Sequence, residues 1–152
     1  MPKIQFTCKA FHDLSLEELY EIMYLRQAVF VVEQDCPYID ADGKDQASWH
    51  LCGKDEKGVL VAYTRIVPKG VSYPGYVSIG RVITSQAVRK LGLGRQLMEE
   101  SIAACTYLFG KGAIKISAQS YLLHFYQSLG FEPQGEEYLE DGIPHCAMIK
   151  KP

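Results

Sequence analysis

The stretch Val82-Ile83-Thr84-Ser85-Gln86-Ala87-Val88-Arg89-Lys90-Leu91-Gly92-Leu93-Gly94-Arg95-Gln96-Leu97 carries a strand into the start of an amphipathic helix through two closely spaced glycines. A helix start presents backbone N–H groups without intrahelical partners, together with the positive end of the helix dipole. Glycines let an anion approach those groups without a Cβ in the way, so the stretch is placed to cradle a phosphate. Arg89, Lys90 and Arg95 add charge around it. On the glycines alone, a plain tight turn among solvated cations reads equally well. A dinucleotide fingerprint requires a third glycine where Leu97 stands, and the G-x-x-x-x-G-K-[ST] loop is absent. What remains is Arg89-x-x-Gly92-x-Gly94 following a strand.

Working outward, Leu93, Leu97, Met98, Ile102, Cys105 and Phe109 fall on one helical stripe that ends at Gly110 and Gly112. Upstream, strands are expected at about Trp49–Lys54, Val59–Val67 and Val77–Thr84, the first two joined by a hairpin turn at Asp55-Glu56-Lys57-Gly58. Ile4, Phe6 and Cys8 alternate as an opening strand. Ser15 and Glu18 have capping-box spacing for a helix with Leu16, Leu19, Tyr20 and Met23 on its apolar side, expected to run on towards Phe30. Downstream, Ala113–Ala118 reads as a buried strand, Tyr121–Leu129 as a short helix closed by Gly130, and Phe131–Leu139 with His145–Lys150 as two final strands. The passage from Val77 to Ala118 through a helix requires a crossover, so those two strands are expected to be parallel within an otherwise antiparallel mixed α/β domain.

The chain has 152 residues, which suits one domain over 1–152, and 16 Lys+Arg against 18 Asp+Glu. With that balance and no basic run, neither nucleic acid nor an anionic membrane is an expected partner, and any anion must be gripped locally. Met1 to Phe6 lacks the apolar core of a signal peptide, and no stretch approaches the ~20 apolar residues of a membrane span, so a cytoplasmic protein is expected. The five cysteines are scattered without a C-x-x-C pair, which suggests that most are reduced core residues and that there is no metal site.

A second motif follows the strand Ile114-Lys115-Ile116-Ser117-Ala118: Leu122-Leu123-His124-Phe125-Tyr126-Gln127-Ser128-Leu129-Gly130-Phe131. Together with Arg89-x-x-Gly92-x-Gly94, it makes the chain resemble the GNAT acyltransferase superfamily over nearly its whole length. The resemblance runs to the ElaA-like branch through Arg26 to Tyr38, Ile79-Gly80-Arg81-Val82 and Glu140-Asp141-Gly142-Ile143-Pro144-His145. It implies a single GNAT-like domain with a mixed, mostly antiparallel sheet, a splayed parallel strand pair and flanking helices. It also implies an acetyl-CoA-dependent transferase releasing coenzyme A. By position, the resemblance assigns the strand at Val82, Ile83 and Thr84 to the pantetheine arm. The N–H groups of Lys90, Leu91, Gly92, Leu93, Gly94 and Arg95 go to the pyrophosphate, with Arg89 opening the loop. Gln119 stands where many relatives carry an asparagine. Tyr126 matches the tyrosine near the thioester sulfur and is placed to protonate a leaving thiolate, although it also belongs to an apolar stripe. A backbone N–H near Val82 is the implied donor to the developing oxyanion.

An alkylammonium acceptor must first lose a proton. Glu33, His50 and His145, directly or through water, are the candidate bases, with Glu33 ranked first. Its alternative role is a structural carboxylate bonded to Arg26 or Arg81. The acidic segment Asp35, Asp40, Asp42 and Asp45 does not fit a calcium loop, and is expected to be a solvated turn or else an electrostatic lure for a cationic amine. The leading expectation is direct transfer to a primary amine of a small molecule or peptide, by a monomer or homodimer. The alternative is a catalytically silent acyl-CoA-binding sensor or assembly module.

Overall fold

The computed structural model describes residues 3–152. Met1 and Pro2, part of the N-terminal segment considered above, lie outside the described residues. Four antiparallel strands follow one another in sheet order as in sequence: β1 (Gln5–Ala10), β2 (Trp49–Lys54), β3 (Leu60–Val67) and β4 (Ser78–Thr84). A second antiparallel sheet has the order β5 (Ile114–Gln119), β7 (Ile143–Lys150), β6 (Phe131–Glu140). The two sheets meet where β4 and β5 begin, through the parallel bridge of Val77 to Ile114 and the Lys115 N–H donated to the Val77 carbonyl at 3.0 Å. Beyond that point β4 pairs with β3 and β5 with β7, so the parallel neighbours splay apart.

Helix α1 (Leu16–Arg26) opens on the expected capping box: the Glu18 N–H donates to Ser15 Oγ at 3.1 Å, and the Ser15 N–H to Glu18 Oε1 at 2.8 Å. Its buried face differs from the sequence reading. Ile22, Leu25 and Arg26 are buried, whereas Leu16 and Tyr20 are exposed. The helix does not continue in the α form to Phe30; Gln27–Glu33 widen into a π-helical turn. Ile22 and Leu25 pack with Cys52, Leu60, Tyr63 and Ile83 on one face of the first sheet. On the other face, α2 (Leu93–Phe109) inserts Leu93, Leu97, Met98 and Cys105 into a core shared with Ile114, Ile116, Phe131 and Met148 of the second sheet. β3 is therefore buried along its whole length. The expected short helix is divided into a 3-10 turn at Ser120–Leu122 and α3 (Leu123–Gln127).

Two features position the site. In β4, Ile83 faces Tyr63 and Gly80 faces Arg65. One β3 residue thus opposes both Arg81 and Val82, a bulge in which Arg81 takes a φ of +50°. The acidic segment is the second, and it corrects the sequence reading: Asp40, Asp42 and Asp45 neither form a solvated turn nor stand free as a lure. The Arg26 Nε donates to Asp40 Oδ2 at 2.6 Å and its Nη1 to Asp45 Oδ1 at 2.7 Å. Arg65 grips both oxygens of Asp42 at 2.7 and 2.8 Å and reaches Asp45 Oδ1 at 2.9 Å. Arg81 donates from Nε to Asp40 Oδ1 at 2.7 Å, which ties the bulge to the same network. Buried charges demand such pairing. Among the described residues, no helix is long and apolar enough to cross a membrane.

Candidate active site

The splay between β4 and β5 creates a gap whose walls are strand edges. Val82, Ile83 and Thr84 end β4, and Gln119 ends β5 opposite His145 of β7. Ser85 and Ser120, the residues just beyond the two strand ends, each bury a hydroxyl that has no partner among the described residues. From Ser85 the chain turns through Gln86–Val88 and curls tightly at Lys90 (φ +68°) and Gly92 (φ +77°) into α2. The Gln96 N–H reaches back to the Gly92 carbonyl at 3.4 Å, so the N–H groups of residues 93–95 form the unpaired first turn of the helix. A Cβ built on Gly94 would meet nothing nearer than Phe125 Cζ at 4.0 Å, which leaves the helix start open to a ligand. Leu93 is buried and anchors the turn, while Leu91 faces solvent. Arg95 donates to Ser128 Oγ at 2.9 Å and pairs with Glu99 at 3.2 Å.

Arg89 does two things at once. Its Nε donates to the Thr84 carbonyl at 3.0 Å, and its Nη1 and Nη2 both bond the Glu33 carboxylate. Glu33 is thus a paired carboxylate, as its structural alternative held, but with Arg89 in place of Arg26 or Arg81. The hydrogen bond from Arg89 holds its carboxyl below the usual range, which weakens it as a proton acceptor. His50 is buried, with Nδ1 2.6 Å from the Tyr63 hydroxyl and Nε2 2.9 Å from the Asp45 carbonyl. Both nitrogens are occupied, and burial lowers its pKa. Tyr126 is 5% exposed and packs edge-on against Phe125 and Phe131 with ring centroids 5.1 and 6.0 Å away. Burial pushes its phenol up to about 12. Sequence reasoning missed Ser117, Tyr138 and Glu140, which gather with His145 on the outward face of the second sheet.

An acetyltransferase (GNAT) domain family model matches residues 15–152. The chain is a member of the GNAT acetyltransferase family. It is 44% identical over 142 residues to protein ElaA of Escherichia coli strain K12, covering 91% of each protein. It is 42% identical over 147 residues to a UPF0039 protein of Synechocystis, covering 97% of this chain and 95% of the relative. The solved structure of an acyl-CoA N-acyltransferase from Pseudomonas aeruginosa superposes with a TM-score of 0.92 at 43% identity, covering 97% of this chain and 99% of that one. The E. coli ElaA structure does so with a TM-score of 0.91 at 41% identity, covering 98% and 100%. The protein is therefore a GNAT-type N-acetyltransferase of mixed α/β fold, from a family that uses an acyl-CoA cosubstrate and amine acceptors.

The GNAT chain's own residues suit that cosubstrate. The two buried hydroxyls at the strand ends, the open helix start and the uncovered Gly94 are polar or empty, which suits a polar, phosphate-bearing ligand. Gly92→Ala puts a Cβ on a left-handed residue at a cost of about 1–2 kcal/mol. It is expected to lower stability by that amount and to raise the acyl-CoA dissociation constant severalfold, measured by urea unfolding and by calorimetric titration.

Proposed function

We propose that this protein transfers an acetyl group from acetyl-CoA directly to a primary amine, within a ternary complex and without a covalent enzyme intermediate. The observation that carries the proposal is the gap between β4 and β5, open beyond one parallel bridge and ending at the unpaired first turn of α2. When bound there, acetyl-CoA supplies a thioester carbonyl activated for attack by an amine.

The chain's residues then divide the work. The N–H groups from Lys90 to Arg95 hold the pyrophosphate, while Arg89, fixed between Thr84 and Glu33, keeps the loop in place. The backbone of Val82, Ile83 and Thr84, with Gln119 on β5, takes the pantetheine arm. An N–H near Val82 serves the carbonyl oxygen as negative charge grows on it; such a donor contributes ~3 kcal/mol in comparable sites. The bulge that shapes this backbone is held by the bond of Arg81 to Asp40. Tyr126, a protonated phenol at neutral pH, donates to the departing thiolate, whose ordinary pKa of about 8.5 makes it a ready acceptor.

Two of the five cysteines are poor candidates for a covalent intermediate. Burial pushes the Cys52 and Cys105 thiols up to about 12, far from nucleophilic thiolates at neutral pH. The test is thiol release from acetyl-CoA across a panel of primary amines, beside a thermal melt with acetyl-CoA. Heat stabilisation with amine-dependent thiol release is the expected result. Stabilisation without release by any amine would make the protein a silent acyl-CoA-binding module, and release without amine would make it a thioesterase.

A further inference from the structure

His145 on β7 is 6% exposed, and its Nδ1 lies 2.7 Å from the carbonyl oxygen of Ile143. A carbonyl only accepts, so Nδ1 carries the hydrogen, and in the neutral ring Nε2 is left as a lone pair. That lone pair faces Glu140 Oε2 at 3.4 Å. The other carboxylate oxygen, Oε1, is already served by Ser117 Oγ at 3.2 Å, and Ser117 is bonded to the Tyr138 hydroxyl. Because a carboxylate also only accepts, the Ser117 hydroxyl is committed to Glu140, and Tyr138 donates to Ser117. Tyr138 stacks on the His145 ring at 6.2 Å and 23°. The donors of this cluster thus run toward Oε1, and with the ring neutral Oε2 and Nε2 are adjacent acceptors 3.4 Å apart.

Such a pair calls for a cationic N–H donor. The cluster is also well placed to meet one. Ser117 lies on β5, one wall of the gap, and the Cys36 thiol donates to the Asp141 carbonyl at 3.3 Å. That contact draws the segment after Glu33 against the β6–β7 turn. The Glu140 side chain is 48% exposed, so the cluster opens outward. Titratable groups around it include Cys146 on β7 and Tyr73 in the loop before β4. Nearby, the Lys115 ammonium rests over the Tyr73 ring at 4.8 Å.

We infer that Glu140 and His145 form the acceptor's ammonium site, with His145 Nε2 as the base that takes its proton, and that the acceptor is a primary amine cationic at neutral pH. This rests on the transferase reading above. The ammonium gives one proton to Nε2, leaving an imidazolium beside Glu140. The freed electron pair on nitrogen forms the C–N bond to the thioester carbon. The C–S bond then breaks with its electron pair on sulfur. A second N–H proton ends on sulfur by way of Tyr126, and His145 returns the first to solvent. Ammonium and thioester thus become amide, thiol and one proton.

Two measurements test this. Ethylammonium is titrated into the CoA-bound protein carrying 15N-labelled histidine. The His145 Nε2 resonance is expected to move in the wild type and to stay fixed in Glu140→Gln. A ring that is already doubly protonated at neutral pH and indifferent to ethylammonium would overturn the site, because Glu140 and His145 would then be an internal ion pair. In turnover, Glu140→Gln and His145→Gln are expected to lower kcat/KM for ethylamine about a hundredfold at pH 7, a loss that narrows as pH approaches the alkylammonium pKa of about 10.4. Hydroxylamine, uncharged at neutral pH, needs neither residue and is expected to stay within about threefold of wild type. Equal losses with both amines would reduce the pair to a structural role. Absence of enzyme-dependent thiol release from the wild type with every amine of the panel would instead sink the transferase reading, and the ring titration would still decide the ammonium site.

Discussion

Arg26→Met lowers the free energy of unfolding by about 3–5 kcal/mol, the range for removing one member of a buried ion network. Arg26 is fully buried and holds Asp40 and Asp45 together. Methionine replaces its apolar stem but leaves those carboxylates short of a cation in the interior. Urea unfolding at pH 7 measures the loss. Lys9→Met is the comparison: its pairing with Glu18 at 3.0 Å lies at the surface, and its removal is expected to cost under about 1 kcal/mol. The network also sets the acid response. Burial alone would raise Asp42 and Asp45, but hydrogen bonds from Arg65 to Asp42 and from Arg26 to Asp45 outweigh it and hold both below the usual carboxylate range. Their contribution is complete above the unfolded-state value of about 3.9 and is lost as pH falls below it. The wild type is therefore expected to lose stability below about pH 4, and Arg26→Met to show a shallower acid slope over the same interval.

Tyr126→Phe is expected to lower kcat about tenfold or more while leaving the KM for acetyl-CoA within about twofold. The phenyl ring keeps the edge-on packing against Phe125 and Phe131, so the melting temperature should hold. What is removed is one proton donor. With the phenol raised to about 12 by burial, the wild type carries that proton throughout the neutral range and its kcat should show no fall caused by Tyr126 ionisation below about pH 11. Full kcat in the variant would take Tyr126 out of the chemistry and leave it as a core residue.

The strands and helices were largely legible because each is written locally: the alternation of β4, the stripe of α2, the Ser15–Glu18 box and the glycines of the phosphate loop all act within a few residues. The family resemblance also rested on contiguous motifs. The aspartate network was illegible for the opposite reason. Asp40, Asp42 and Asp45 read as solvent-facing because their partners lie 14 to 41 positions away, and nothing in a turn-rich segment announces three arginines waiting beneath it. Arg26 runs against the general expectation as well, since a charged residue beyond the apolar positions of a helix is ordinarily exposed. Glu33 was found by its block, but its partner Arg89 is 56 positions distant. The cluster of Ser117, Tyr138 and Glu140 was hidden by register. The irregularity between Gln134 and Tyr138 decides which β6 residues stand opposite β7, and side-chain alternation alone does not reveal it.

Among the described residues one parallel bridge joins the two sheets, and this has a mechanical meaning. A cleft opened by prising paired strands apart would sacrifice directional bonds with every ångström of widening. Here the halves beyond Val77 and Ile114 are joined chiefly by the apolar side chains of α2 and their neighbours, contacts that have no preferred direction and tolerate small shear. Widening the gap around a long, thin guest therefore requires none of the ladders that define its walls to break.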